Sequence, residues 1–495
     1  MKIIIVGAGR VGLGVAESLV SEKNDITVID ADADRLRELQ QRLDLRGVVG
    51  SGTDPAVLAE AGAKDTDLLI ACASQDEVNL VCCKLAWMQF AIPTRIARVR
   101  ARGFEDGSEL LSKEGFAVDH ILCPEDSLTR YISLLVEYPE ALQVREFAGG
   151  RACLVSARAR AGAPAVGTRI RLLRQQMPEV AMRIVAIYRR FTDGPDRFVA
   201  CDGETFIEPG DEVFVLAGRA RIAQVLAALH RRGGRPARPV RRIMVAGASS
   251  VGERLAQELS RQTGRFRIKI IEEDAERCEQ LAARVPEGVL VLHGEASDED
   301  LLAEEGVEET DLFLSLSNDD EDNIMSSLLA KRMGASRVLA LIDRHTYADL
   351  MHGTQIDIAL SPAQTILGEL LTYVRRGDVQ AVHSLRRGVA EALEVVVRGD
   401  RKNSRVVGRC VQDLPLPPEV HIGLIVRGLP DPDAPAPAED EAAAARAAEP
   451  PGEPEIIIPR SHTVLESNDH VVFFLPRKRL VKEVEELFRV RATFF

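Results

Sequence analysis

Residues 2–19 read KIIIVGAGRVGLGVAESL, an apolar run set directly against a glycine cluster and a helix-like stretch. Ile3 to Val6 suit a central parallel strand, and Val11, Val15 and Leu19 recur at helical spacing. In Gly7-x-Gly9-x-x-Gly12 the first glycine permits a tight turn, the second lets backbone approach a pyrophosphate, and the third lets the helix pack closely on the strand. The helix N-terminus then offers free N–H groups to phosphates. The glycines alone are a weak signal. DITVID, residues 25–30, strengthens it as a second strand ending in Asp30, 23 positions after Gly7, where a carboxylate holds a ribose diol. That carboxylate repels a 2′-phosphate and so favours NAD over NADP, while ATP and ADP offer the same diol.

The pattern recurs. RRIMVAGASSVGERLAQEL begins at residue 241 and places Gly247 240 positions after Gly7. ITVIDAD is matched by IKIIEED, GAKDTDLLIACASQDEVN by GVEETDLFLSLSNDDEDN, and VDHILCPED by IDIALSPAQ, in the same order. The chain reads as a duplication. In the second copy Gly247 and Gly252 remain, Ser249 crowds the middle position and Glu272 takes the ribose position, which leaves a second nucleotide site open. After each glycine-rich module come Val-rich runs with Pro-Gly-Asp or Ser-Asn-Asp before the last, the pattern of a compact sheet. The predicted fold is α/β, with Rossmann-like doubly wound parallel-sheet domains at 1–125 and 240–365 and small α+β domains at 140–225 and 380–485. A Gly/Pro/Arg stretch at 230–242 reads as a solvated joint or a contact for an anionic surface, and an acidic Ala/Pro tract at 431–455 as a mobile loop.

Composition sets outer limits. The 495 residues are 46% hydrophobic and 28% charged, with aromatics at 4%, so cores must be built from Val, Leu, Ile and Ala. The longest apolar runs fall short of the roughly 18 to 20 residues a membrane-spanning helix needs. The chain opens on a strand-like run without a secretory pattern, so a cytoplasmic protein is expected. Eight cysteines show no C-x-x-C pairing and read as reduced packing residues, with no metal expected. A net charge of −13 argues against sequence-independent nucleic-acid binding.

The candidate nucleotide-binding set is Gly7, Ala8, Gly9, Arg10, Val11, Gly12, Asp30, Thr53, Ala73, Ser74, Gln75, Glu77, Asn79 and Arg98, with Gly247 and Glu272 from the repeat. Arg10 and Arg98 are read as phosphate contacts or surface ion pairs, with Ala340 in the repeat at the place of Arg98. Ser74 to Asn79, including Asp76, follow the strand DLLIACA at the sheet end where nucleotides bind, or cap the next helix. Glu125, replaced by Ala363 in the repeat, is a candidate cation or partner ligand. The nine histidines, among them His293, His345, His352 and His421, fall into no nucleophile or metal arrangement. No residue is assigned a catalytic role, since a dehydrogenase would need a larger substrate domain and a general acid or base.

The sequence of motifs, from KIIIVGAGRVGLGVAESL through RIARVR, NIMSSLLAKRMGA, DIALSP, SLRRGVAEALE and SRVVG, resembles the TrkA family. These are tandem RCK (regulator of potassium conductance) proteins, the peripheral regulatory subunits of the Trk potassium uptake system. The likeness fails only at 431–455. It implies RCK N-domains that bind NAD(H) or adenine nucleotides, and a ring of four chains beneath a dimeric potassium-conducting membrane protein, with membrane contact only through that partner. By similarity Gly7, Gly9, Gly12, Asp30 and Arg98 carry over, and Ser249, Ala340 and Ala363 are departures. On this reading Asp30→Ala or Gly12→Val weakens ligand control of potassium flux without abolishing folding. A regulator of a different cation transporter, a soluble NAD-dependent oxidoreductase and a scaffold that binds no nucleotide are the alternatives.

Overall fold

The computed structural model describes residues 1–20, 22, 24–101, 103–104, 108–177, 180–191, 197–199, 201–230, 239–262, 264–344, 347, 356–375, 378–385, 389–430 and 454–490. Most of the 230–242 joint and of the 431–455 tract, with His345 and His352, lies outside the described residues. The chain divides into two compact units that each draw on both copies of the repeat: residues Met1–Ser133 with Val240–Leu367, and Leu134–Pro239 with Gly368–Phe495.

The first unit holds two parallel sheets of the same design. Strands β1 (Lys2–Val6), β2 (Asp25–Asp30), β3 (Arg46–Val49), β4 (Leu68–Ala71), β5 (Thr94–Arg98) and β6 (His120–Leu122) run in the order β3-β2-β1-β4-β5-β6. Helices α1 (Arg10–Val20), α2 (Ala33–Arg42), α3 (Pro55–Glu60), α4 (Asp76–Phe90) and α5 (Pro124–Glu137) connect or follow them. β1 lies between β2 and β4 with Ile3 to Val6 buried, which is why its sequence is apolar without alternation. This is the doubly wound order whose switch point falls beside β1 and β4. Acidic caps begin the helices: Asp32 accepts from the Asp34 and Arg35 amides, and Asp54 from that of Ala56 ahead of Pro55. Each such cap stabilises by about 1 kcal/mol.

The second unit carries the small domains. Here β7 (Ala141–Phe147), β8 (Ala152–Arg158), β9 (Met182–Arg189), β10 (Arg197–Val199) and β11 (Glu212–Gly218) form one antiparallel sheet. Back in the first unit, the repeat gives β12 (Arg242–Ala246), β13 (Arg267–Glu272), β14 (Val289–His293), β15 (Leu312–Ser315), β16 (Val338–Leu341) and β17 (Ile358–Leu360), ordered β14-β13-β12-β15-β16-β17. Its helices include α8 (Ser250–Ser260), α9 (Ala275–Ala282) and α11 (Asp320–Arg332), following α6 (Ile170–Gln176) and α7 (Ile222–His230) and separated by α10 (Glu299–Glu304). The last sheet, again in the second unit, is β18 (Val379–Leu385), β19 (Ala390–Val396), β20 (His421–Arg427), β21 (Glu455–Ile457) and β22 (His470–Leu475).

One core joins both small sheets, with Phe147, Phe214 and Leu216 packed among Leu424, Val472 and Phe474. The turn signatures read from sequence have a structural cause. Gly210 and Asn468 take φ of +92° and +65°, and the buried aspartate after each receives two hydrogen bonds from an arginine, Arg189 on Asp211 and Arg427 on Asp469. A bidentate pair of this kind locks the turn to its neighbouring strand. All eight cysteines are free thiols, and burial pushes Cys72 and Cys82 up to about 12. Among the described residues no helix is long and apolar enough to cross a membrane.

Candidate functional site

The first glycine turn is built by backbone. Gly7 has φ of +103°, its N–H donates to the Ile29 carbonyl at 2.8 Å, and an added Cβ would lie 2.9 Å from Cys72 and Ala73 backbone. At Gly12 a Cβ would come within 1.9 Å of the Gly7 oxygen, so this glycine sets how closely α1 packs on β1. Gly9 differs from both, because a Cβ there would meet nothing within 4 Å among the described residues. Neither its backbone conformation nor packing against those residues requires glycine at that position, whereas a pyrophosphate lying against the turn would. The Asp30 carboxylate accepts the Ala8 amide at 2.5 Å and the Asp32 amide at 2.8 Å. With about four lone-pair positions on a carboxylate, two remain for a diol.

The second turn repeats this scaffold. Gly247 has φ of +92° and donates to Ile271, and Glu272 accepts the Ala248 amide at 2.6 Å and the Asp274 amide at 3.2 Å. Ser249 caps α8 by accepting the Gly252 amide at 3.3 Å. Glu272 is buried and Asp30 only partly so.

The first turn opens into a cavity of about 1020 Å³ within the first unit, and the second borders it through Ser249. Gly7, Gly9, Asp30 and Arg98 line it from one copy and Ser249, Arg277 and Asn318 from the other. Two arginines tie the copies together. Arg10 donates to the Asn318 carbonyl at 3.1 Å and lies 3.5 Å from Asp343, and Arg254 reaches Asp126, the Arg100 carbonyl at 2.6 Å and the Cys123 sulfur at 3.6 Å. Arg98 pairs with Glu125 at 2.9 Å, and its buried Nε has no hydrogen-bond partner among the described residues. An orphaned buried donor in a polar cavity marks a place for an acceptor.

Comparison with known proteins gives the lineage. Residues 3–124 and 243–362 match the TrkA-N domain family. Over 495 residues the chain is 46% identical to the Trk system potassium uptake protein TrkA of Halomonas elongata, covering 100% of both. The chain belongs to the TrkA family. The TrkA of Vibrio alginolyticus is 44% identical over 490 residues, 99% of each chain. Among solved structures the GsuK channel aligns at a TM-score of 0.57 and 18% identity, and the GsuK channel bound to NAD at 0.55 and 17%, each covering 98% of this chain and 78% of that one. These distant likenesses establish the fold, two tandem RCK units of mixed α/β structure.

Within this TrkA-family chain, the structure gathers only part of the candidate set. Gly7, Gly9, Arg10, Val11, Asp30, Ala73, Ser74 and Arg98 line the cavity, while Ala8 and Gly12 lie just behind its wall in the turn. Gln75 and Glu77 are exposed outside it, and Thr53 bonds the Ser51 hydroxyl at 2.7 Å. Asn79 is fully buried, accepting the Ala73 amide and donating to the Ala73 and Arg98 carbonyls at 2.8 to 3.1 Å, so it clamps β4 to β5. Asn323 does the same with Ser317 and Leu341. Asp76 holds the Arg100 and Ala101 amides at 2.8 and 2.9 Å.

Two expectations are corrected. Ala340 is not the counterpart of Arg98. Ala97 pairs with Ala71 and Ala340 with Ser315, and the Asn clamps end on Arg98 and Leu341, so Leu341 holds that place and Ala340 matches Ala97. Gly12→Val is no clean probe of ligand control, since even the first carbon of a side chain would overlap the Gly7 carbonyl. Sequence reading missed Arg254, Arg277 and Arg100. The one available signal was that Arg254 stands 240 positions after Gly14, a repeat position where the copies differ most in size and charge.

Proposed function

We propose that this chain is the nucleotide-sensing regulatory subunit of a potassium uptake system. It binds NAD(H), or ATP or ADP, on the first glycine turn and acts on a separate potassium-conducting membrane subunit from the cytoplasmic face, as a ring of four chains. The observation that carries the nucleotide reading is the pairing of the open position at Gly9 with the Asp30 carboxylate held on the Ala8 amide. The potassium reading rests on full-length relatives named for potassium uptake, and the GsuK channel supplies a fold neighbour that binds NAD.

The α1 amides and Arg98 would hold the phosphates and Asp30 the ribose, with the nucleotide acting as a signal rather than a reactant. The cavity walls come from both N-domains, which Arg10 and Arg254 bridge by side-chain contacts. A nucleotide that prefers one orientation of the two domains shifts the ring toward the matching state of the pore, and one with equal affinity for both shifts nothing. Calorimetric titration of the purified chain with NADH, and separately ATP, tests the site. Asp30→Ala lowers affinity by about tenfold or more, equivalent to about 1.4 kcal/mol, and unchanged affinity for both nucleotides contradicts the reading.

A further inference from the structure

We propose that the second glycine turn is held shut by two of its own side chains, Ser249 and Arg277, so that each chain takes one nucleotide rather than two. This rests on the reading that the first turn binds a nucleotide. The turns are otherwise close copies. Gly247 and Gly7 each donate to the end of the neighbouring strand at 2.8 Å, and Glu272 and Asp30 each accept the amide of the next turn residue and the amide two positions beyond themselves. Neither the tight turn nor the acidic residue separates a working site from an idle one.

The difference lies at two positions, and at both the repeat fills space or uses donors that a ligand needs. Where Gly9 leaves open space, Ser249 places a hydroxymethyl group, and its Oγ takes the Gly252 amide at 3.3 Å. That amide is one of the first-turn donors a phosphate oxygen would otherwise use. Arg277 donates to the Ala248 carbonyl at 2.9 Å, which lays its guanidinium on the turn, and it lines the shared cavity. Its counterpart in the first copy, Arg35, lines the same cavity but pairs with Asp32, the cap of its own helix, at 3.3 Å. The difference is therefore what each arginine holds: Arg277 is bonded to the turn it covers and Arg35 is drawn to its helix cap, while serine caps only the second turn.

Neither group belongs to the apolar core, so both can be removed. Ser249→Gly restores the residue found in the first copy, a tolerated helix cap, and Arg277→Ala removes an exposed side chain. Calorimetric titration with NADH, repeated with ADP, counts sites per full-length chain in the wild type and in S249G/R277A, each with and without Asp30→Ala. The expected counts are one and two, with one of the sites weakened by about tenfold or more in each Asp30→Ala chain. The gain of one site by S249G/R277A tests the closure in either background, while the weakening of the wild-type site by Asp30→Ala tests the first-turn reading separately. Two sites in the wild type, or no gain in S249G/R277A, overturns the proposal. If S249G/R277A loses its circular-dichroism signature, Arg277→Ala alone is titrated. A second, weaker site then supports the closure and its absence overturns it.

Discussion

Gly14 packs against Ala363 so closely that a Cβ on the glycine would come within 2.4 Å of the alanine's own Cβ. This glycine lies outside the nucleotide fingerprint, and the contact explains it: α1 of the first copy meets the helix Pro362–Val374 that follows β17 in the second. At the related position of the second copy Arg254 makes polar contacts to Cys123, Asp126 and Arg100. The two N-domains thus meet through one apolar and one polar version of the same face. Gly14→Leu overpacks the apolar version and costs about 1–3 kcal/mol. Urea denaturation followed by circular dichroism reads this as a lower midpoint, and an unchanged midpoint contradicts the close contact.

Gly9→Ser separates ligand binding from folding. The substitution copies Ser249 into open space and supplies a helix cap, so stability stays within about 0.5 kcal/mol of wild type. NADH affinity falls by about tenfold or more. Thermal denaturation and calorimetry on the same sample check both halves of the expectation, and a variant that binds like wild type removes the role assigned to Gly9.

Arg95 is 1% exposed and fully engaged. Its Nε donates to Ala117 O at 2.6 Å, one Nη to Ile92 O and Pro93 O, and the other to Asp119 at 2.7 Å, with the Trp87 ring 4.8 Å from the guanidinium. Arg95→Val leaves those acceptors unmatched and costs about 3 kcal/mol. In the repeat Val338 takes this place, and Lys331, at the position of Trp87, supplies the charge on Asp357 at 2.8 Å. The R95V/W87K combination should therefore regain part of the loss, measured by urea midpoint. No loss in Arg95→Val contradicts the account of the buried arginine.

His383 makes the second unit sensitive to acid. Burial, helped by the Arg145 charge, lowers its pKa from 6.5 to about 3, while its Nε2 donates to Glu146 O at 3.0 Å and its ring meets Phe147 edge-on. The unfolded chain binds the proton more readily, so this contribution to stability is intact above about pH 6.5. It is lost as pH falls toward 3, at up to about 1.4 kcal/mol per pH unit. His383→Gln keeps an N–H donor without the titration. Its denaturation midpoint should fall less than that of the wild type between pH 7 and pH 5, and equal falls contradict the assignment.

Much of the fold was legible because each β1-like run is apolar without alternation and ends in a glycine turn, and because the duplication orders every later landmark. The register of β16 was not. Aligning Arg95 with Arg337 by residue type shifts the comparison by one, and only the strand pairing puts Val338 opposite Arg95 and Leu341 opposite Arg98. Asn79 was readable as a polar residue near a nucleotide, but its amide is spent on three backbone groups, which sequence does not disclose. The shared cavity was out of reach for a different reason: its walls join residues more than two hundred positions apart, and their meeting depends on faces that carry no motif.

The most direct test of the sensing account is potassium flux through proteoliposomes carrying the membrane partner, with the full chain added and NADH and ATP titrated, comparing wild type with Gly9→Ser. A nucleotide-dependent change in flux is expected with the wild type, with its midpoint moved to about tenfold higher nucleotide or more in Gly9→Ser although that chain still associates with the vesicles. An equal nucleotide response from both chains would contradict the account.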